Sequence, residues 1–141
     1  MITETSAGGI VYKKNGDHFL WLIVQHRKAL HWGFPKGHIG DHVENELMEE
    51  AALREVSEEG GIKARIVKET PINTTYFFKQ GSDLHKKTVH YFLMEYVSGD
   101  PGNHDDEVSN AKFVETDEAW DTLTYNTDKE AFSKILKDMN T

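Results

Sequence analysis

Runs of apolar residues separated by polar turns divide the chain into short β-strands. Residues 8–12 and 19–24 are rich in β-branched and aromatic side chains, and the Asn15-Gly16 pair between them predicts a β-hairpin. The segment 88–97 is long and largely apolar, which favours the central strand of a mixed sheet. Shorter strands are predicted at residues 64–67, 74–78 and 111–114.

Helices are predicted between and after these strands. Residues 46–59 contain no Gly or Pro, Asn45 suits an N-cap, and Gly60-Gly61 ends the segment. A short helix is expected from a cap at Thr116 to Leu123. The C-terminal helix is expected after a capping box, with an apolar stripe at i, i+3, i+4 and i+7. The box is Thr127 with Glu130, and the stripe is Phe132, Ile135, Leu136 and Met139. Together the pattern predicts one α/β domain over residues 1–141.

One face of the helix predicted over 46–59 is apolar in its first half and acidic in its second half. At about 100° per residue, Met48, Ala51 and Ala52 share an arc with three glutamates. Like charges at these spacings cost roughly 0.2–0.5 kcal/mol per pair, and they lie at the negative end of the helix dipole. A divalent cation is the natural partner for such a group, and a solvated acidic helix is the alternative. The three glutamates are Glu55, Glu58 and Glu59.

Composition limits the class of metal and of partner. The 141 residues include no Cys, so carboxylate oxygens point to Mg²⁺ or Mn²⁺ rather than to a thiolate-held metal. The formal net charge of −8 argues against a nucleic-acid partner, which needs clustered Lys and Arg. A small phosphate-rich molecule remains compatible if metal ions and a few local cations reverse the sign at the site. The charge therefore favours a small nucleotide over a long RNA.

Targeting signals are absent from the pattern. Residues 1–4 show no basic region followed by an apolar run, and no apolar stretch approaches the roughly 20 residues of a membrane span. We therefore expect a cytoplasmic protein with no membrane partner. The sequence leaves monomer and homodimer open.

The sequence REVSEEGGI at residues 54–62, with Glu46 eight residues before Arg54, resembles the Nudix box of the Nudix hydrolases. The resemblance implies a Nudix-type α/β/α sandwich with a mixed sheet between helices. It also implies hydrolysis of a nucleoside diphosphate linked to another group, with Mg²⁺ held by Glu55, Glu58 and Glu59. Arg54 would orient a glutamate through an ion pair, and Glu46 would be structural or lie outside the metal's direct ligands.

Two glycines can be the first residue of this box. Gly40 has the usual spacing to Glu46, but the segment Phe34-Pro35-Lys36-Gly37-His38 looks like the usual entry to the box and favours Gly37. The second alignment puts three extra residues in the loop before Glu46. It makes the Gly37 carbonyl a candidate metal ligand.

Outside the box, an acidic loop and two lysines are candidate site residues. Glu107 is the candidate for an additional metal ligand or the general base, and a solvated acidic loop with Asp105 and Asp106 is the alternative. Lys36 and Lys87 could contact phosphate, or they could be ordinary exposed lysines. His26, His38 and His90 could contact substrate, but none has metal-ligand spacing with another His.

Three outer segments are similar to the diadenosine tetraphosphate hydrolase branch of the family. They are residues 32–38, 87–93 and 107–113. In that branch aromatic rings stack on adenine, which makes Tyr76, Tyr91 and Tyr125 candidates here, with core packing as the alternative for each. The resemblance implies attack of water on phosphorus and cleavage of diadenosine tetraphosphate to ATP and AMP. The alternatives are a Nudix hydrolase of nucleoside triphosphates or damaged nucleotides, or a Nudix domain that senses nucleotides without cleaving them.

Overall fold

A computed structural model describes residues 1–40 and 44–139 of the chain. The strands are β1 (Ile2–Asn15), β2 (His18–His26), β3 (Trp32–Gly33), β4 (Lys36–His38), β5 (Ile62–Ile66), β6 (Ile72–Gln80), β7 (Asp83–Gly99) and β8 (Val108–Glu115). The helices are α1 (Met48–Gly60), α2 (Thr116–Thr122) and α3 (Asn126–Met139), with a 3₁₀ turn at Pro101–Asn103. Residues 41–43 of the extra loop expected before Glu46 lie outside the described residues.

All eight strands join one mixed sheet. Its main path runs β3-β2-β1-β7-β5, with β4 paired to β1, β6 to β7 and β8 to β2. The β1–β7 pairing is parallel, from Ile2 beside His85 to Tyr12 beside Glu95, and the other pairings are antiparallel. The predicted hairpin forms between β1 and β2, and the expected central strand is β7, which lies between β1 on one side and β5 and β6 on the other.

Apolar side chains that alternate along the strands form a core on each face of the sheet. On one face, residues such as Ile10, Trp21 and Tyr91 pack with Phe132 and Ile135 of α3. On the other face, the neighbouring positions of β1, β2 and β7 pack against α1. This confirms the predicted sandwich of a mixed sheet between helices.

The helices begin at different residues from those predicted. Asn45 has a φ of 62° and is not a cap, because α1 starts at Met48 and Leu47 N–H is satisfied by Glu50 Oε1 at 3.0 Å. Thr116 is the first residue of α2, and its hydroxyl accepts the indole N–H of Trp21 at 2.9 Å.

The start of α3 is also corrected, because a cap at Thr127 would put the first helical residue at 128, two residues after the observed start. Lys129 N–H donates to Tyr125 O at 3.2 Å, so the helix begins at Asn126 and Thr127 lies inside its first turn. None of the described helices is long and apolar enough to cross a membrane.

Candidate active site

The last turns of α1 place two carboxylates at the edge of the core. Glu55 and Glu59 are 6% and 2% exposed, whereas the Glu58 side chain is 38% exposed. Residues four apart lie on one helix face, which is why Glu55 and Glu59 point the same way. Gly61, with a φ of 71°, ends the helix as predicted, and its N–H donates to Ser57 O.

Arg54 gathers glutamates around one guanidinium group. Its Nε and Nη2 bond both oxygens of Glu46, at 2.7 and 3.0 Å, in a two-point pair. Its Nη1 bonds Glu55 at 2.7 Å and Glu58 at 3.1 Å, and Nη2 also reaches His38 O at 3.3 Å. Arg54 thus holds the carboxylates of Glu46, Glu55 and Glu58 together, and the supporting roles expected for Arg54 and Glu46 stay predictions.

The short strand β4 holds the other wall of the site against α1. The Lys36 backbone N–H donates to Glu59 Oε1 at 3.1 Å. A Cβ built on Gly37 would overlap the Glu55 carboxylate, so only glycine allows this approach. Gly40 instead donates its N–H to Glu46 Oε1 at 3.1 Å. Of the two glycines considered from the sequence, Gly37 lies beside the glutamates of α1.

The acidic loop before β8 reaches the same place. Asp105 N–H donates to Glu58 O at 2.8 Å, and Glu107 N–H donates to Asp105 Oδ1 at 3.1 Å. Glu107 is exposed and lines the same cleft as Glu59. The fold therefore brings Glu107 to the box glutamates although about 50 residues separate them in the chain.

The pKa values of the buried glutamates at this site are raised. Burial raises the pKa of Glu59 to about 8, and the charges of Glu55, Asp105 and Glu107 act in the same direction against the hydrogen bond from Lys36. Burial also raises the pKa of Glu55, although Arg54 opposes that change. A buried acidic group of hard oxygen donors is the chemistry that Mg²⁺ or Mn²⁺ binds.

The carboxylates are arranged around Arg54 rather than around an ion position. Within residues 1–40 and 44–139, no three His, Asp or Glu side chains form a group ready to hold a metal. Glu55 and Glu58 each direct an oxygen at Arg54, whereas in the described part of the chain Glu59 has no ion-pair partner apart from His26, whose Nε2 is 4.0 Å away. Burial lowers the pKa of His26 to about 4, so this imidazole is neutral at pH 7. The donor set fits a divalent ion, with Glu59 as its uncompensated member.

A cleft of about 680 Å³ opens next to these acids. Its lining includes Gly37, Glu59 and Glu107 together with Lys36 and Lys87. Lys36 Nζ lies 5.6 Å from the centre of the Tyr76 ring. The structure therefore brings both lysines proposed from the sequence to the same cleft as Glu59 and Glu107.

Two of the three proposed tyrosines line this cleft, and one does not. Tyr76 is half-buried and Tyr125 is 49% exposed. Tyr91 is fully buried in the core, and its hydroxyl donates to Asp128 Oδ1 at 2.8 Å. Its ring has no free face for a base, so the core-packing alternative is right for Tyr91 and the stacking hypothesis is wrong.

Sequence reasoning missed several polar residues of the cleft, among them His31 and Asp128. His31 stacks on His26 with ring centres 4.5 Å apart and lies 5.2 Å from the Tyr125 ring. Asp128, in the first turn of α3, is 5% exposed and also lines the cleft. An acidic residue in the first turn of an amphipathic helix is common, so no local signal distinguished Asp128. Conversely His38 lines the cleft as considered, whereas His90 bonds Asn73 on β6 and is absent from the lining.

Comparison with known proteins decides the family. The family model described as the NUDIX domain matches residues 3–135. The chain belongs to the Nudix family. MutT4 of Mycobacterium tuberculosis (strain CDC 1551 / Oshkosh), which is named a mutator protein, is 35% identical over 130 residues. That match covers 88% of this chain and 51% of MutT4, so the chain spans about half the length of this relative.

Solved structures agree with the Nudix fold. A C. elegans Ap4A hydrolase, in a binary complex, has a TM-score of 0.74 and 24% identity, covering 97% of this chain and 98% of that one. The NUDIX domain of Shewanella oneidensis NrtR, complexed with ADP ribose, has a TM-score of 0.73 and 12% identity, covering 99% and 90%. At these identities the two structures support the fold and the sandwich architecture described above.

Proposed function

We propose that this Nudix chain is a Mg²⁺-dependent pyrophosphohydrolase of small nucleotides, with Mn²⁺ as a possible substitute, and that it cleaves dinucleoside polyphosphates. The expected reaction is attack of water on phosphorus, giving ATP and AMP from diadenosine tetraphosphate. The observation that carries the proposal is the cleft, in which buried acids, two lysines and aromatic rings share one cavity. The fold neighbour from C. elegans, an Ap4A hydrolase, supports the choice of substrate.

Each end of the cleft has a different chemistry. Mg²⁺, held by Glu55, Glu58 and Glu59 with the Gly37 carbonyl and Glu107 as further ligands, would neutralise phosphate oxygens and lower the pKa of the attacking water. Lys36 and Lys87 would hold the phosphate chain as point charges. Glu107, exposed at the cleft, would serve as the proton acceptor if it is not a ligand.

The aromatic end would hold a nucleoside. Tyr125 presents a half-exposed ring and Tyr76 a half-buried one on the wall that carries Lys36. Stacking of a base on an aromatic ring contributes roughly 1–3 kcal/mol. An aromatic end beside cations and acids fits a nucleotide better than an inorganic polyphosphate.

Product analysis by anion-exchange chromatography tests the proposal. The panel is diadenosine tetraphosphate, ATP, 8-oxo-dGTP and ADP-ribose with Mg²⁺. ATP and AMP are expected from the dinucleotide. The products should disappear in Glu59→Gln and Glu58→Gln but persist in Glu49→Gln, which removes an exposed carboxylate from the same helix. Cleavage of a different member with the dinucleotide untouched would contradict the substrate assignment.

A nucleotide-sensing Nudix domain is the second candidate. It is favoured by the pairing of Glu55 and Glu58 with Arg54 and by the absence, among the described residues, of a preformed metal-holding group. A folded protein that binds ADP-ribose or diadenosine tetraphosphate but cleaves no member of the panel with Mg²⁺ or Mn²⁺ would establish this candidate instead.

A further inference from the structure

Asp128 is a buried carboxylate that the proposed chemistry does not use. It lies in the first turn of α3, is 5% exposed, and still contributes to the wall of the cleft. Its Oδ1 accepts the hydroxyl of the buried Tyr91 at 2.8 Å. This is its hydrogen bond within the part of the chain that the structure describes, and no ion pair joins it to a described cation.

The second oxygen of Asp128 is open to the cleft. In the described chain, the fully buried side-chain polar atoms without a partner are Ser6 Oγ and His31 Nδ1. Asp128 Oδ2 has no hydrogen-bond partner there either and is not among these enclosed atoms, so it retains access to the cleft that Asp128 lines. Gly33 leaves room beside it, since a Cβ there would lie 3.1 Å from Oδ2.

A structural role explains only one of the two carboxylate oxygens of Asp128. Anchoring the Tyr91 hydroxyl requires one acceptor, which a neutral amide could supply. Burial raises the pKa of Asp128, because the Lys36 charge and the Tyr91 hydrogen bond only partly offset the loss of water. A buried carboxylate oxygen without a donor is costly, and the cost is recovered when a ligand brings an N–H to it.

The surroundings of Asp128 suit the flat face of a base. Tyr76, Tyr125 and His31 line the cleft with it, as do Lys36 and Lys87. Burial lowers the pKa of His31, and Lys36 adds to that effect, so the ring is a neutral aromatic surface at pH 7.

We propose that Asp128 Oδ2 selects the substrate's base by accepting a hydrogen bond from an N–H on its pairing edge. The cleft then takes nucleotides whose base presents an N–H on that edge, such as adenine with its amino group, and discriminates against a purine that has no N–H there. This inference rests on the proposed function, because it assumes that the base end of a nucleotide occupies the aromatic end of the cleft.

Binding in EDTA tests this without any hydrolysis. AMP and purine riboside 5′-monophosphate differ only in the amino group, and their affinities can be compared by isothermal titration calorimetry. The native protein should prefer AMP by roughly tenfold or more, the effect of one hydrogen bond to a charged group. In the double variant Tyr91→Phe/Asp128→Leu, which replaces both partners of the buried bond by apolar groups, the ratio should fall to near one.

Tyr91→Phe alone is the matched control. It keeps the carboxylate in the cleft, so it should keep a preference for AMP, and near-ultraviolet circular dichroism verifies that all three proteins are folded. Equal affinities in the native protein, as expected if Oδ2 met a ribose hydroxyl instead, would overturn the inference. An unchanged preference in the folded double variant would overturn it as well.

The failure of this inference is separable from that of the proposed function. Hydrolysis of diadenosine tetraphosphate by the native protein, together with equal binding of the two monophosphates, refutes base selection by Asp128 alone. A preference for AMP that depends on Asp128, without any hydrolysis, refutes the catalytic proposal and leaves the base subsite in place.

Discussion

Replacing Glu59 by Gln should stabilise the metal-free protein while it abolishes activity. The Glu59 side chain is 2% exposed, and its ion-pair partner among the described residues is His26, which is neutral at pH 7. Glutamine has nearly the same shape, and its carbonyl oxygen can still accept the Lys36 N–H that now reaches Glu59 Oε1. The substitution therefore removes the buried charge and little else.

The size of the effect follows from the pKa of Glu59, which rises from 4.5 to about 8 on folding. Between these values the folded state binds the proton more tightly than the unfolded state, so stability is lost as the pH rises. With 1.36 kcal/mol for each pKa unit, burying this acid costs about 2 kcal/mol at pH 6, where the carboxyl must take up a proton on folding, and about 4 kcal/mol at pH 8. Glu59→Gln should be more stable than the native protein by these amounts.

Urea unfolding in EDTA at pH 6 and pH 8 measures this difference. The native protein, Glu59→Gln and the exposed Glu49→Gln are compared, so that effects of general charge cancel. Added Mg²⁺ should reverse the order by stabilising the native protein, more at pH 8 than at pH 6, because the ion binds the carboxylate form. A stability difference that does not grow with pH would refute the description of Glu59 as an uncompensated buried acid.

Three further substitutions have effects that the packing and ion pairs determine. Gly37→Ala should lower kcat at least tenfold in steady-state assays, because the new Cβ displaces the Glu55 carboxylate; unchanged kinetics would show that this contact is unimportant. Phe132→Ala should reduce the free energy of unfolding by about 3–5 kcal/mol in urea, as expected for an aromatic ring lost from a core, and a loss below about 1 kcal/mol would contradict its central position. Arg54→Met should destabilise by about 3–5 kcal/mol, since it removes the guanidinium that pairs with the nearly buried carboxylates of Glu46 and Glu55; thermal unfolding with a native-like midpoint would contradict this.

The sequence predicted those parts of the site that share one helix or one short loop. The positions of Glu55 and Glu59 follow from helical spacing, and the approach of Gly37 follows from the resemblance to the Nudix box. The glutamate of the acidic loop, Glu107, also lies where the family pattern suggested. Roles as ligand, base or substrate contact stay predictions until the assays above are made.

Residues brought in by long-range packing could not be predicted in the same way. Tyr91 lies on β7 and Tyr125 lies just before α3. Which of the two faces the cleft depends on the face of β7 that packs against α3, and the apolar run of β7 does not reveal that face. Asp128 shows the same limit, because its hydrogen bond comes from Tyr91, 37 residues earlier in the chain. Helix starts were missed where a side-chain hydrogen bond, such as the one that Glu50 accepts from the Leu47 N–H, replaces the expected cap.

The parallel pairing of β1 with β7 has a consequence for how the chain folds. It places Ile2 beside His85, which lies 83 residues later in the chain, and it comprises eleven residue pairs. Such non-local contacts slow folding, because a long loop must close before any of them forms. Tyr76 lies on β6 and Lys87 on β7, and β6 is attached to the sheet by β7, so this wall of the cleft depends on the placement of β7 beside β1. A nascent chain that has not yet released β7 from the ribosome therefore has an incomplete cleft.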